Sequence, residues 1–203
     1  MFWRNWFRKV VPTPPDFHLE LVTVRGKDAL RELSRLQNEG KADGFCPVMV
    51  GDDEEMQYHN ELAEFAESTP EEIIRSSENV DAIEFLKARV ADDKDYYTFP
   101  DGPPPTAKPV SQGLISHLNV LSRTPKKWVH IAKVPTTSNW EIPAYLFYGG
   151  WNECPSPENH VALWKRWSDQ FGAKIVSATH DVIEATVDSP PTTLEEAKKL
   201  AKE

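Results

Sequence analysis

Apolar and polar positions alternate at period two in "DFHLELVTV" (16–24), with Phe17, Leu19 and Leu21 on one side, and predict a strand. The period changes to helical in "GKDALRELSRLQNEG", where Leu30, Leu33 and Leu36 share a face and Gly40 reads as the stop. "FCPVMVG" is a short apolar run of the kind a buried strand shows. Strand, helix and strand in that order predict a βαβ-like first lobe.

Helical spacing continues in "DDEEMQYHNELAEFAE", whose opening acids suit the positive end of a helix. Its inner face combines Met56 with His59 or Asn60, Leu62 or Ala63, and Ala66. "TPEEII" carries a start signal, with Thr69 as cap, Pro70 at the first helical position and Glu71 and Glu72 in the first turn. "NVDAIEFLKARV" then sets Val80, Ile83, Leu86 and Val90 on one stripe. Five prolines within residues 99–109 break the pattern, so 94–112 reads as a linker or a long surface loop.

Beyond it, "KWVHIAKVP" and "IPAYLFYGG" are near-continuous apolar runs and predict two central strands. In the second, alternation would put Tyr145 and Phe147 on one face and Leu146 and Tyr148 on the other. "SPENHVALWKRWSDQFG" is the strongest helix signal, with Ser156 as cap, Pro157 next, Gly172 as terminator, and a Trp164, Trp167 or Ser168, Phe171 stripe expected on a sheet. "AKIVSATHDVIEATV" predicts a hairpin turning at His180-Asp181. "PPTTLEEAKKLAKE" restarts a helix, with Thr192 and Glu195 at capping-box spacing, and the sequence stops inside it, which reads as an early end. The expected architecture is α+β in two lobes, the second a mainly antiparallel sheet backed by an aromatic-rich helix. Residues 1–93 form the α/β lobe with its acidic helices, and 113–203 the C-terminal domain.

Composition narrows the function classes. The 203 residues are 39% hydrophobic and 27% charged, and no run approaches the roughly 18 apolar residues of a membrane span. The N-terminal "FWRNWFRK" is too short for a secretory leader and reads as an arm packed on the body, with a membrane-surface contact as the alternative. The expectation is a cytoplasmic protein with both cysteines, Cys46 and Cys154, as free thiols. Net charge is −9. Residues 52–95 hold 15 acidic against 4 basic side chains, a poor match to nucleic acid, where phosphates need clustered Lys and Arg. Such a block would attract a basic protein partner, or serve as solvated helix faces.

The stretch "FYGGWNECPSPENHVALWKRW" (147–167) is the densest in chemistry. Its Gly149-Gly150-Trp151-Asn152 and Cys154-Pro155, followed by the hairpin and by Pro190-Pro191-Thr192-Thr193, resemble a bacterial family known as domain of unknown function 4253 over about residues 128–203. The resemblance implies no activity or cofactor. By analogy alone, small bacterial families of this kind include immunity and antitoxin proteins.

Each candidate site has a structural alternative. The Gly149-Gly150 turn ahead of a helix could present N–H groups to an anion, yet no phosphate-loop pattern accompanies it, and a sharp turn with Trp151 covering the core is the better explanation. Cys154, just before a helix start, could be a nucleophile if His160 or His180 reached it; Cys-Pro at a corner also packs. Cys154, His160, His180 and Asp181 have the ligand types for zinc but no zinc spacing, so no metal is assigned. The leading expectation is a non-catalytic protein-binding module of immunity or antitoxin type, using Trp151, Asn152, Asp52, Asp53, Glu54 and Glu55. The alternative is a small thiol-dependent enzyme or hydrolase centred on Cys154. An enzyme would set Cys154 or a histidine at the wall of a concave pocket. A binding module would expose the acids together and bury Cys154 away from any imidazole.

Overall fold

The computed structural model describes residues 12–92, 113–152 and 154–200. In chain order these form β1 (Glu20–Val24), α1 (Ala29–Asp43), β2 (Cys46–Gly51), α2 (Asp53–Glu64), α3 (Pro70–Ser77) and α4 (Ala82–Asp92). They continue as β3 (Val129–Val134), α5 (Ile142–Tyr145), α6 (Pro157–Phe171), β4 (Ala173–Ala178), β5 (Ile183–Val187) and α7 (Leu194–Leu200). The expected N-terminal arm and proline-rich linker lie outside the described residues.

The class is mixed α+β, built on one five-stranded sheet in the order β1-β3-β2-β4-β5. Only β2 and β4 pair in parallel; the other three pairings are antiparallel. The βαβ expectation needs a correction, because β1 and β2 run parallel but are not neighbours. β3 lies between them, which makes a split βαβ unit. The physical reason is in β3 itself: "VHIAKV" is buried at five of its six positions, so it needs cover on both faces and strands on both edges. The sheet therefore draws strands from both sides of the proline-rich segment, and the stretches read as separate lobes share it.

Side-chain alternation divides the core into two layers. On one face Ala29, Leu33 and Leu36 of α1 meet Met49, Val129, Ile131 and Val176. On the other, Val48, Val50, Ala132, Val134 and Ile175 meet Met56 of α2 with Ile142, Leu146 and Tyr148. Each large aliphatic side chain so buried contributes about 1.5–3 kcal/mol.

The local start signals operate where the sequence places them. Asp52 caps α2 by accepting the Glu55 N–H at 3.4 Å. Thr69 and Glu72 close a capping box on α3. α6 opens at Ser156-Pro157 and ends at Gly172, but the Ser156 hydroxyl makes no cap hydrogen bond to the helix backbone and instead accepts from the Asn159 amide at 2.7 Å. Other expectations shift. α1 runs past Gly40, which is buried with the Phe45 carbonyl against it, and stops at Gly44, whose φ of +79° terminates the helix in the left-handed region. Leu30 is exposed, and Ala29 fills the inner position. The last capping box sits one residue late, on Thr193 and Glu196.

The largest correction concerns "IPAYLFYGG". It is the helical turn α5 with a non-helical tail, entered through a 3-10 turn at Asn139–Glu141. Pro143 has no N–H for a sheet ladder and is tolerated early in a helix. A short apolar run buried on all sides carries no periodicity that separates helix from strand. The aromatic stripe of α6 is also displaced: Val161, Ala162 and Leu163 are its buried residues, while Trp164 and Trp167 are half-buried, with ring centroids 5.0 Å apart. Among the described residues no helix is long and apolar enough to cross a membrane.

Candidate functional site

The loop from Phe147 to Ser156 joins α5 to α6 and is conformationally demanding. Among the described residues three non-glycines have positive φ, and two of them fall in it, Phe147 at 51° and Asn152 at 42°. Such backbone costs on the order of 1–3 kcal/mol per residue and concentrates at functional loops. Hydrogen bonds hold the loop shut: Gly150 N–H donates to Pro155 O at 3.0 Å, and Cys154 N–H to Trp151 O at 2.7 Å.

Within it, Cys154 Sγ lies 3.4 Å from His160 Nε2. His160 sits in the first turn of α6, its N–H bonded to Ser156 O. Its ring meets Tyr148 edge-on at 5.1 Å, and Tyr148 meets Trp151 edge-on at 5.4 Å. Gly149 makes room for this packing. A Cβ there would lie 2.0 Å from Pro155 O and 2.9 Å from His160 Cδ2, and its φ of +111° strains any other residue.

Burial governs the charges of the pair. It pulls the His160 imidazole down to about 4 and pushes the Cys154 thiol up, opposed by the Gly150 N–H. At neutral pH the pair is thiol and neutral imidazole, so with Nε2 unprotonated the S–H donates to it. That arrangement suits general-base activation of the thiol rather than a preformed ion pair. Cys46, in contrast, is pushed up to about 11 by burial and then by Glu141, with no imidazole partner among its described contacts.

A second titratable cluster stands where β2 and β4 end. Glu55, in the first turn of α2, accepts from the His180 backbone N–H at 3.0 Å and from His180 Nδ1 at 2.7 Å. The His180 ring stacks on Tyr58 at 4.5 Å. Burial, and then the fields of Cys154, Asp181 and Glu55, push the Tyr148 phenol up. Beneath the second cluster His59 is fully buried; its Nε2–H donates to Ala178 O at 3.0 Å while Nδ1 has no partner. Desolvation pulls it down to about 4.

The expected binding residues separate. Trp151 is half-buried against the core, and Asn152 is exposed. Asp52 pairs with Lys126 at 3.0 Å, Asp53 accepts from His130 Nε2 at 2.8 Å, and Glu55 is taken by His180; Glu54 is exposed. His180-Asp181 does turn the hairpin, and its imidazole also carries the Glu55 contact. The Cys154–His160 spacing of six residues was visible in the chain. Glu55 with His180, 125 positions apart, left no local signal. Among the described residues no three His, Cys, Asp or Glu side chains are placed to hold a metal ion.

Elsewhere, an apolar groove of about 460 Å³ runs along Trp164, Trp167, Phe171, Val187, Pro190 and Leu200, away from Cys154. No curated protein and no solved structure matches the chain. Residues 130–203, which carry Tyr148, Cys154, His160 and His180, match the family described as domain of unknown function (DUF4253).

Proposed function

We propose that the protein is a small thiol-dependent hydrolase of the acyl-transfer class, with Cys154 as nucleophile and His160 as its base. The carrying observation is the 3.4 Å contact between Sγ and Nε2 on a strained loop at a helix start. In the reaction, Sγ bonds to a carbonyl carbon as its proton passes to Nε2. The bond from the carbonyl carbon to the leaving-group oxygen then breaks, and the proton held on Nε2 passes to that oxygen or, for a weakly basic leaving group, to solvent. Water hydrolyses the thioester and restores the thiol. The test is release of p-nitrophenolate from p-nitrophenyl acetate. Turnover that disappears in Cys154→Ala and falls about a hundredfold in His160→Asn supports the reading. Turnover equal in all three chains contradicts it.

A second reading, a protein-binding module of immunity or antitoxin type, is supported by the apolar groove more than by the acids of α2. Three of those acids are engaged inside the chain, whereas the groove exposes aromatic surface of the kind that anchors partners. A basic partner retained by the native chain at low salt, released at high salt and unaffected by Trp167→Glu would return the contact to the acidic face.

A further inference from the structure

We infer that the apolar groove beside α7 seats a second copy of this chain, with the two α7 helices lying antiparallel across a two-fold axis at Ala197. The inference stands apart from the thiol chemistry and gives the groove a definite occupant.

α7 has seven residues, Leu194–Leu200. A helix that short is marginal without packing on one of its faces. Its local signals are in place: Thr193 and Glu196 cap its start, acids stand in its first turn and bases in its last. Packing is what it lacks, since none of its seven residues is buried. Leu194 is 48% exposed and Ala197 is exposed, while Leu200 lines the groove. Spaced i, i+3 and i+6, these three share a face. The groove beside it, of about 460 Å³, is walled by Trp164, Trp167, Phe171 and Val187. An apolar helix face and an apolar groove therefore adjoin, and both face solvent, which is the mark of an interaction surface.

The order of charges on α7 selects the occupant. Leu194-Glu195-Glu196-Ala197-Lys198-Lys199-Leu200 reads the same from either end with the charges exchanged. A two-fold axis at Ala197 sets Leu194 against the partner's Leu200 and Glu195 against the partner's Lys199. A parallel arrangement would set Glu195 against the partner's Glu195. Glu196 Oε2 is already engaged by the Thr192 N–H at 2.9 Å and the Thr193 N–H at 3.1 Å. The working ion pair is thus Glu195 with the partner's Lys199, formed twice by symmetry. The helix dipole alone favours acids first and bases last. It does not call for a leucine at each end and a small side chain at the centre, which close helix contact across an axis does.

Size sets the strength. A helix about 10 Å long cannot supply by itself the roughly 800 Å² a side of a standard interface. Seated in the groove of the other copy it also covers the half-buried Trp164 and Trp167, side chains of the kind that carry most contact energy. The expected product is a reversible dimer, closed by its symmetry and growing no further.

The experiment is sedimentation velocity on the full chain from about 1 to about 200 µM. The native chain should dimerise with rising concentration. Trp167→Glu should raise the dissociation constant at least about tenfold, with an unchanged far-UV circular dichroism spectrum as the check on folding. Glu195→Lys and Lys199→Glu should each dimerise at least about fivefold more weakly when alone. Mixed in equal amounts they should recover the native constant, because each chain then offers the charge the other lacks. The mixture contains the same two altered helices, so any loss of helix in the variants does not account for a recovery. Glu195→Lys also lowers the net negative charge, so general repulsion between copies would make it the tighter dimer, not the weaker. A native chain that stays monomeric throughout overturns the inference. So does a dimer that Trp167→Glu leaves intact, charge variants that pair as the native chain does, or a mixture no tighter than its components.

Discussion

Cys154 Sγ and His160 Nε2 stand 3.4 Å apart, across a loop in which Gly149 leaves room for the Pro155 carbonyl and the His160 ring. The contact joins two residues six positions apart, one ahead of α6 and one in its first turn. Its electrical character follows from burial, which leaves both partners neutral at pH 7.

That neutrality predicts a pH profile. His160 is unprotonated above about 4, so the base is available across the whole neutral range, while the thiol keeps its proton until above the usual cysteine range. The rate of Cys154 alkylation by iodoacetamide should climb continuously with pH through neutrality. A preformed ion pair would give a plateau from about pH 5 instead. In His160→Asn the neutral-pH rate should fall about tenfold or more.

Gly149→Ala should disturb this loop more than any neighbouring change. The new Cβ would meet Pro155 O at 2.0 Å and the His160 ring at 2.9 Å, at a φ of +111°. A cost of about 1–3 kcal/mol is expected, read as a lowered urea midpoint together with altered Cys154 alkylation. Gly150→Ala has open space for its Cβ and bears only the φ strain, so it should cost less.

Acid should unfold the protein through its buried histidines. His59 and His160 are both held down to about 4 in the folded chain, against about 6.5 unfolded. Between those values the unfolded chain binds more protons, so stability rises with pH. As pH falls through the window, each site withdraws up to about 3 kcal/mol. Urea unfolding measured from pH 4 to 7 should show this slope, and His59→Leu should flatten it.

The sequence made much of the fold readable and little of its assembly. Cap residues and periodicity marked α1, α2, α3, α6 and the β4–β5 hairpin, because those signals act within a few residues of chain. "IPAYLFYGG" misled because a mostly buried apolar run of this length satisfies helix and strand alike. The insertion of β3 between β1 and β2 depends on which strand buries both faces best, a competition no local pattern encodes. The site divides the same way. Cys154 with His160 could be read from spacing, whereas Glu55 with His180 exists only because β2 and β4 lie side by side. Glu55 also lies outside residues 130–203, the part that matches the family.

Glu184 should prove the anchor of the stretch that follows the proline-rich segment. Its carboxylate accepts from the Ile115 N–H at 2.7 Å, the Ser116 N–H at 3.0 Å and the Ser116 hydroxyl. Glu184→Ala leaves those donors without their acceptor, at about 1–3 kcal/mol. Limited proteolysis should then cut within residues 113–125 faster than in the native chain.

The most direct measurement of the central claim is the location of the acyl group. The native chain, mixed briefly with p-nitrophenyl acetate and quenched in acid, is digested and mapped by mass spectrometry. The account predicts one acetyl group on Cys154, removed by hydroxylamine, with Cys46 unmodified in the same molecules. Acetylation confined to lysines, or equal on the two cysteines, would contradict it.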